Sequence, residues 1–578
     1  MQLSSLAELD PPVLAALPNE GINQITTSVG GNVFDVNAAV GANAYYQHST
    51  PITGQNTVVY NLEAGHFWNG HESLSHVATN SSNFVAGSSS WGGASIADKY
   101  DRHATWAAML IGGRQNGSSS SLLPQGIAHG ADLRSAAIAS SWSGNAYALS
   151  FGVTVESFLT PYQVVFGTAD VVNSSFAYTD PAGTDPFTVV TDAYSFQNSK
   201  TLYVVSAGNG GPTNNTVGAP GSGYNTLTVG ALGGANGYDT IASFSGRGPQ
   251  SFGYIDANGA DQTIAGVRAA VDIVAPGQSL ASAFYGGQTG GNNPSLTGST
   301  DAGSAGNAYS NGIAGTSFSA PIVAGGASLL ISAAKTLPEL SANSSATESM
   351  VIKALLLTGA DKPSGWSNGL QMTTGENAHL RTTQSLDWSL GAGALNLATA
   401  FELQIGGQID VLGQQTGALG QVAVDGWDFG HATVGMANDY EIFAEIAAGT
   451  TMTTSLTWMR SRYFDFANLL YADVAQADLN LSVWMLDAND NFAQLIASSE
   501  SDYNTVEHLS FIVPTTARYG IRVDYPGNTF DNTAGDVWGT GVLAQDYGLA
   551  WSATPIPEPS ACLLGVVGAF ACLRRRRA

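Results

Sequence analysis

The pattern of apolar and polar positions divides the chain into two parts, and the first part alternates two kinds of element. Short apolar runs predicted as buried strands occupy residues 57–62, 170–174, 202–206 and 226–230. Apolar residues at helical spacing predict helices at 104–111 and 350–357. Since strands that alternate with helices form parallel sheets covered on both faces, this part is predicted to have an α/β fold.

The pattern changes after about residue 402. Apolar and polar residues alternate in short runs from 425 to 553, for example at 440–446, 479–485 and 519–523. Such alternation, with turn signals between the runs, predicts an all-β sandwich domain. Residues 403–424, which repeat glycine and glutamine, are predicted to be the linker.

Composition narrows the function classes. Hydrophobic residues make up 44% of the 578 and charged residues 11%, against about 25% charged in average proteins. The net charge of −25 argues against nucleic-acid binding, which needs basic patches. Solubility is the simplest reason for the acidity, with calcium binding and halophilic adaptation as alternatives. The two cysteines, Cys562 and Cys572, both lie near the C-terminus, so no disulfide or thiol nucleophile is expected in the body.

One serine lies where a loop meets a helix. Residues 315–321 are Gly-Thr-Ser-Phe-Ser-Ala-Pro, and they join a Gly/Ser/Asn-rich loop at 278–312 to an apolar helical run at 322–330. A helix N-terminus offers unpaired N–H groups and partial positive charge, which favour an oxyanion nearby. Ser317 is therefore a candidate nucleophile; the alternative is a serine that only caps the helix.

Six segments follow one another in an order typical of one enzyme family. They are 103–109 (His-Ala-Thr-Trp-Ala-Ala-Met), 204–210 (Val-Val-Ser-Ala-Gly-Asn-Gly), 244–249, 272–277, 315–321 and 391–396. Together they resemble the motifs of the subtilisin-like serine peptidases over roughly residues 40–402. The resemblance implies a subtilisin-like parallel sheet flanked by helices, and hydrolysis of peptide bonds through an acyl-enzyme.

The resemblance also implies roles for individual residues. Ser317 would be the nucleophile, and His103 would be the base that takes its proton and later protonates the leaving amine. Asn209 would donate to the oxyanion together with the backbone N–H of Ser317. The chain departs from the family beside the base, where Ala104 replaces a glycine and Trp106 replaces a second histidine.

The third catalytic position is the main departure. The family has an aspartate at the end of the first strand, and here Glu63 follows the run at 57–62. A glutamate also accepts a hydrogen bond from imidazole and holds its tautomer. One alternative is that Glu63 is a surface residue of a degraded peptidase. Another is a sedolisin-like site, which is disfavoured because it needs a carboxylate where His103 stands.

The resemblance assigns the peptide-binding positions as well. Ser175, Phe176 and Ala177 would pair with the substrate backbone, and Gly208 would leave room for a substrate side chain. No zinc spacing, P-loop or dinucleotide fingerprint is found, so no cofactor is expected to be required. The loop at 487–491 (Asp-Ala-Asn-Asp-Asn) leaves a structural calcium site open beside an ordinary turn.

The C-terminal tail predicts export. Residues 555–559 are Pro-Ile-Pro-Glu-Pro, and a 14-residue apolar run at 560–573 and four arginines follow. This resembles a PEP-CTERM sorting signal, which implies transient membrane contact and processing by an exosortase-type enzyme. The apolar run is shorter than the about 20 residues that a stable transmembrane helix needs. The arginines would hold its end at the cytoplasmic side. The alternative is a permanent membrane anchor. Residues 1–30 lack the basic start and apolar run of a secretory signal.

The predicted layout has five parts. They are an N-terminal extension (1–39), a peptidase domain (40–402), the linker (403–424), the β-sandwich domain (425–553) and the sorting tail (555–578). The predicted function is an exported serine endopeptidase of the cell envelope, surface or medium that acts on polypeptides. The alternative is a weak or inactive scaffold that acts as a cell-surface binding protein.

Overall fold

The structure is a computed structural model. It describes residues 35–77, 100–114, 125–138, 155–234, 237–283, 309–410, 418–533 and 543–554, and short strands at 4–5, 24–25, 84–86, 141–143 and 146–148. The predicted sorting tail at 555–578 lies outside the described residues, as does most of the predicted N-terminal extension.

The bounds of the elements are as follows. The helices are α1 (Val36–Ala39), α2 (Asn43–Tyr46), α3 (Arg102–Gly112), α4 (Val155–Phe166), α5 (Pro186–Gln197), α6 (Thr316–Thr336), α7 (Pro338–Ser341), α8 (Ser349–Thr358) and α9 (Leu397–Gly406). The strands before α6 are β1 (Ser4–Ser5), β2 (Gln24–Ile25), β3 (Val58–Glu63), β4 (Phe84–Ala86), β5 (Asp132–Ala137), β6 (Ser141–Ser143), β7 (Ala146–Ala148), β8 (Val171–Ser174), β9 (Leu202–Ser206), β10 (Leu227–Gly233), β11 (Thr240–Ile241), β12 (Gln250–Ile255), β13 (Asp261–Arg268), β14 (Ile273–Pro276), β15 (Leu280–Ala283) and β16 (Tyr309–Ile313). The later strands are β17 (Gln371–Met372), β18 (Leu380–Arg381), β19 (Gln408–Ile409), β20 (Ala418–Val422), β21 (Gly426–Thr433), β22 (Ala437–Ile442), β23 (Thr451–Trp458), β24 (Ser461–Asp465), β25 (Leu470–Leu486), β26 (Phe492–Ser499), β27 (Val506–Ile512), β28 (Tyr519–Asp531) and β29 (Ala544–Thr554).

A mostly parallel sheet forms the centre of the first part. Its strand order is β11-β10-β9-β8-β3-β5-β4, with β14 paired beside β10, and only the β10–β11 pair is antiparallel among its described strands. The four predicted strands correspond to β3, β8, β9 and β10. The prediction of an α/β fold is therefore confirmed.

The strand order changes direction between two neighbouring strands inside this sheet, β3 and β8. The chain leaves β3 towards β5 on one side and leaves β8 towards β9 on the other, although β3 and β8 are neighbours. The loops that follow these two strands therefore diverge, and such a point at the carboxyl ends of parallel strands is where α/β folds bind ligands. Glu63 ends β3, and Ser175 directly follows β8.

Helices cover both faces of the sheet. Val59 and Val204 belong to the core that includes α3, α6, α8 and α9, whereas Tyr60 and Leu62 belong to the core that includes α4 and α5. Helix α6 is long and apolar enough to cross a membrane, but its most apolar window is entirely buried inside the protein. A strand buried on both faces needs apolar cover of this kind, so α6 is the central core helix.

The second part is a β-sandwich, as predicted. One sheet has the order β17-β18-β26-β25-β28-β22-β20, and the other has the order β19-β21-β29-β23-β27. The predicted runs overlap β22, β25 and β28, and large side chains such as Tyr440, Tyr519 and Trp551 fill the space between the sheets. Residues 403–424, predicted as a linker, contain the end of α9 and also β20, which pairs with β22.

The sandwich packs directly on the first part. Helix α8 lies against β29 and β23, and the Thr457 hydroxyl donates to the Met350 carbonyl at 2.8 Å. A Cβ atom at Gly548 would lie 2.4 Å from the backbone of Met350, so this close approach requires glycine. Strand β18 also pairs with β26 across the predicted domain boundary.

A fully buried ionic cluster joins the two parts. Arg460 and Arg462 both bond to Asp473 within the sandwich, and Arg462 also bonds to Asp192 on α5 at 2.9 Å. None of these four side chains is exposed. Burial alone would raise the pKa of Asp473, but the two guanidinium groups outweigh it and hold that pKa below its usual range. The carboxylate is therefore charged and compensated.

Candidate active site

Glu63 and His103 form a buried pair at the carboxyl edge of the sheet. His103 Nδ1 lies 3.3 Å from Glu63 Oε2, and the two residues are 8% and 2% exposed. Because a carboxylate only accepts hydrogen bonds, this contact favours the neutral tautomer with its proton on Nδ1, which leaves the lone pair of a general base on Nε2. The second oxygen, Oε1, accepts the backbone N–H of Ser175 at 3.2 Å.

The position of His103 follows from how α3 begins. Asp101 caps the helix by accepting the Ala104 N–H at 2.9 Å, and its backbone N–H donates to the His66 carbonyl at 2.7 Å. His103 thus lies in the first turn of a helix whose start is tied to the segment just after Glu63. The helix predicted at 104–111 is confirmed, and the observed helix begins two residues earlier, at Arg102.

Two asparagines not singled out from the sequence connect these elements. Asn61 on β3 donates to the Ala104 carbonyl at 3.0 Å and accepts from Asn173 on β8 at 2.9 Å. Both are fully buried. A buried polar side chain needs partners, so an asparagine inside an otherwise apolar strand run was the signal that could have identified them.

Ser317 is the second residue of α6 and contacts Ser175. Its hydroxyl donates to the Ser175 carbonyl at 3.3 Å, and the Ser175 hydroxyl donates to the Ser317 carbonyl at 3.0 Å. Pro321 lies inside the same helix and has no N–H for the carbonyl four residues before it. The Ser175 hydroxyl supplies the bond that Pro321 cannot give to Ser317.

The His103 and Ser317 segments meet through an aromatic ring. Phe318, which follows Ser317, lies 5.6 Å from the His103 ring and 5.7 Å from the Trp106 ring, measured between centroids. Helices α3 and α6 pack together at this point. The candidate base and nucleophile therefore stand on the first turns of two packed helices, with the Ser317 hydroxyl turned towards Ser175 in this structure.

Asn209 lies beside the start of α6 with its amide oriented. Its Oδ1 accepts the Thr316 N–H at 2.9 Å and the Thr316 hydroxyl at 2.8 Å. Since the N–H can only donate, the oxygen of the amide must face Thr316. The Nδ2 group is therefore the end of the amide that does not contact Thr316.

Two of the predicted peptide-binding residues, Ala177 and Gly208, lie near the segment that contains Gly218 and Ala219. Tyr178 and Ala219 exchange two backbone hydrogen bonds, of 2.9 and 2.8 Å. The Ala177 methyl would lie 2.7 Å from a Cβ placed at Gly218 and 4.0 Å from one at Gly208, whose φ is +84°. A Cβ atom at 218 would therefore collide with Ala177, and the positive φ at 208 favours glycine there. Phe176 is buried in the core beneath α4 and α5.

Two further polar side chains considered from the sequence make local hydrogen bonds within the protein. His66 is buried, which lowers its pKa to about 3, and its Nδ1 lies 2.9 Å from the Ser135 hydroxyl. Asp487 in the loop left open for calcium accepts the backbone N–H groups of Asn489 and Asn491, as a turn does. Within the described residues there is no group of three or more His, Cys, Asp or Glu that could hold a metal.

Comparison with known proteins identifies the family. The family model described as the subtilase family matches residues 43–393, more than half of the chain. The chain therefore belongs to the subtilase family. This confirms, at the level of the family, the prediction of a subtilisin-like serine peptidase.

Individual relatives are more distant. Pyrolysin from Pyrococcus furiosus is 28% identical over an alignment of 295 residues, which covers 46% of this chain and only 18% of pyrolysin. A solved serine protease of Aeromonas sobria is 14% identical, with 92% of this chain and 94% of that chain covered and a TM-score of 0.44. Sphericase is 17% identical, with 64% and 99% covered and a TM-score of 0.39.

Proposed function

We propose that this chain is a serine endopeptidase in which Glu63, His103 and Ser317 form the catalytic triad. The observation that carries the proposal is the buried hydrogen bond between Glu63 and His103, next to Ser175, which contacts both Glu63 and Ser317. Membership of the subtilase family supports the same reaction. A glutamate thus takes the part that an aspartate has in the family pattern.

The reaction would proceed in two halves. Ser317 Oγ attacks the peptide carbonyl carbon while His103 Nε2 takes the hydroxyl proton, and the carbonyl oxygen becomes an oxyanion bound by Asn209 Nδ2 and the Ser317 N–H. The C–N bond then breaks, and His103 returns the proton to the leaving amine. Water, deprotonated by His103, hydrolyses the acyl-enzyme and restores the serine.

We also propose that the protein is exported. The PEP-CTERM-like tail supports sorting by an exosortase-type enzyme. Before processing, the tail would lie in the membrane. After processing, the rest of the protein would be located in the cell envelope, at the cell surface or outside the cell. Polypeptides are the proposed substrates. A structural calcium ion in the loop at 487–491 stays a prediction, which the effect of calcium and of a chelator on the melting temperature would test.

A fluorophosphonate probe tests the activity without knowledge of the substrate. The probe bonds to an activated serine, so we expect it to label Ser317 in the folded protein at neutral pH. An unlabelled but well-folded protein would instead favour the inactive scaffold. The labelled residue is identified by peptide mass analysis.

Substitution of Asn209 by alanine is expected to lower kcat by about 10²–10³-fold, the usual loss for one oxyanion donor. KM should change little, because the donor acts mainly on charge that develops in the transition state. Steady-state kinetics on a quenched fluorescent peptide measure both constants. Equal kcat values for the variant and the parent would remove Asn209 from the oxyanion site.

Shortening Glu63 to aspartate is expected to lower kcat by about 10- to 100-fold, because a displacement of about 1 Å can cost that much. The shorter side chain cannot span both the His103 Nδ1 atom and the Ser175 N–H. The pH–rate profile and kcat are the measurements. An unchanged rate would show that Glu63 does not orient the base.

A further inference from the structure

Two arginines of the β-sandwich reach the backbone of the peptidase domain. Arg460 immediately precedes β24, and Arg462 lies within it. Arg462 Nη2 donates to the Gly183 carbonyl at 2.6 Å, and Arg460 Nη1 donates to the Gly253 carbonyl at 2.9 Å. Both guanidinium groups are fully buried, so these are contacts without competition from solvent.

Gly183, whose carbonyl accepts a hydrogen bond from Arg462, is the last residue of a short segment that begins at the candidate active site. This segment, residues 175–183, is called the first limb. Ser175 at its start contacts both Glu63 and Ser317. At its far end, the Asp180 carboxylate accepts the Gly183 N–H at 3.0 Å and closes a turn. The position of Gly183 therefore constrains the path of the limb back to Ser175.

A second segment, residues 217–225, is bonded to the first limb and to the same part of the sandwich. We call it the second limb. The Ser222 hydroxyl donates to the Asp180 carbonyl at 2.6 Å, which adds to the bridge between residues 178 and 219. The Asn225 side chain accepts the backbone N–H of Arg460 at 2.8 Å and donates to the backbone carbonyl of Arg460 at 2.9 Å. Thr505 of the sandwich also donates to the Tyr224 carbonyl at 2.9 Å.

Asp192 completes the connection through its two carboxylate oxygens. They accept the backbone N–H groups of Tyr224 and Asn225 at 2.7 and 3.2 Å, while Arg462 donates to Asp192 at 2.9 Å. The Arg460 guanidinium lies over the Tyr224 ring, and its central carbon is 4.1 Å from the centroid of that ring. A cation over an aromatic face is a further attraction. The ends of both limbs thus contact Arg460 and Arg462, which belong to the β-sandwich.

We propose that Arg460 and Arg462 are positioning residues for catalysis. By holding the ends of both limbs, the β-sandwich sets where Ser175 lies between Glu63 and Ser317. The sandwich is then a working part of the peptidase and not only an appended module. This inference rests on the proposed function, since it concerns the geometry of that same site.

The test is Arg462→Lys in the full chain. Lysine keeps the positive charge beside Asp192 and Asp473, but its single nitrogen cannot replace the fork of donors that also reaches Gly183. The fluorophosphonate endpoint counts competent sites, and kcat is then measured per labelled site on a quenched peptide. We expect kcat per site, and the labelling rate, to fall about tenfold, as loss of fixed geometry does.

Two further variants make the result decisive. Arg522→Lys is the matched control, because Arg522 pairs with Asp439 inside the sandwich at 2.6 and 2.7 Å and its side chain is partly exposed. We expect its kcat per site to equal that of the parent. Thr505→Val removes one hydrogen bond to the second limb. We expect kcat per labelled site to fall about threefold, which is equivalent to part of the free energy of one hydrogen bond.

The outcomes separate the two proposals. An unlabelled parent protein overturns the proposed function and this inference with it. A labelled parent, with Arg462→Lys folded and equal to the control per labelled site, overturns only the inference. If Arg462→Lys does not fold, the Thr505→Val value decides: a fall supports positioning, and a value equal to the parent contradicts it.

Discussion

Substitution of Ser317 by alanine is expected to lower peptide hydrolysis by more than about 10⁴-fold, because no other group replaces a lost nucleophile. Labelling by the fluorophosphonate probe should disappear as well. The fold should survive, since the lost hydroxyl makes one 3.3 Å hydrogen bond to the Ser175 carbonyl. The measurements are the initial rate on a quenched peptide and the thermal melting curve.

Ser319→Ala is the control for this experiment. Ser319 is also buried, and it lies two residues further along α6. Its removal leaves Ser317, His103 and Glu63 in place, so labelling should continue at the parent rate. Activity that persists in Ser317→Ala, or that is lost equally in both variants, would contradict the assignment of the nucleophile.

Substitution of Asp473 by asparagine is expected to lower the free energy of unfolding by about 3–5 kcal/mol, the usual loss when one partner of a buried ion pair is removed. Asp473 accepts hydrogen bonds from Arg460, Arg462 and the Ile255 N–H, and its side chain has no exposed surface. Asparagine leaves the two buried arginines with Asp192 alone. The free energy is measured by chemical unfolding.

Asp439→Asn is the matched control. Asp439 pairs with Arg522, and both side chains are partly exposed, so we expect a loss of at most about 1 kcal/mol. Equal losses of unfolding free energy in the two variants would show that burial of the Asp473 cluster does not increase its contribution to stability. Because the folded pKa of Asp473 is depressed, its contribution should be present above the unfolded pKa and lost as the pH falls through the folded one.

Local patterns were sufficient to predict the fold class. The runs that became β3, β8, β9 and β10 are apolar because those strands are buried on both faces by helices. The alternation after residue 425 likewise reflects strands with one buried face. The boundary between the parts was harder to predict, because β18 and α8 are assigned to one part by sequence and pack on the other.

The candidate site was predicted less completely than the fold. The sequence indicated that Glu63, His103, Asn209 and Ser317 belong together, and the structure brings Glu63 to His103 and Asn209 to the start of α6. Ser175 was predicted only to bind substrate. Its contacts with Glu63 and Ser317 could not be predicted, because they depend on the lateral order of β3 and β8, which is set by packing and not by local pattern.

Residue type and spacing were enough to establish the α/β fold, the family and the identity of the candidate nucleophile, because each follows from local order along the chain. Whether a glutamate in the place of an aspartate could reach the base depended on distances between β3, α3 and β8. The same holds for the buried arginines, which in the sequence are ordinary residues of a β-strand region. Arg462 bonds to Asp192 and Gly183, 270 and 279 positions away, and Arg460 bonds to Gly253, 207 positions away. Only packing of the two domains brings these residues together.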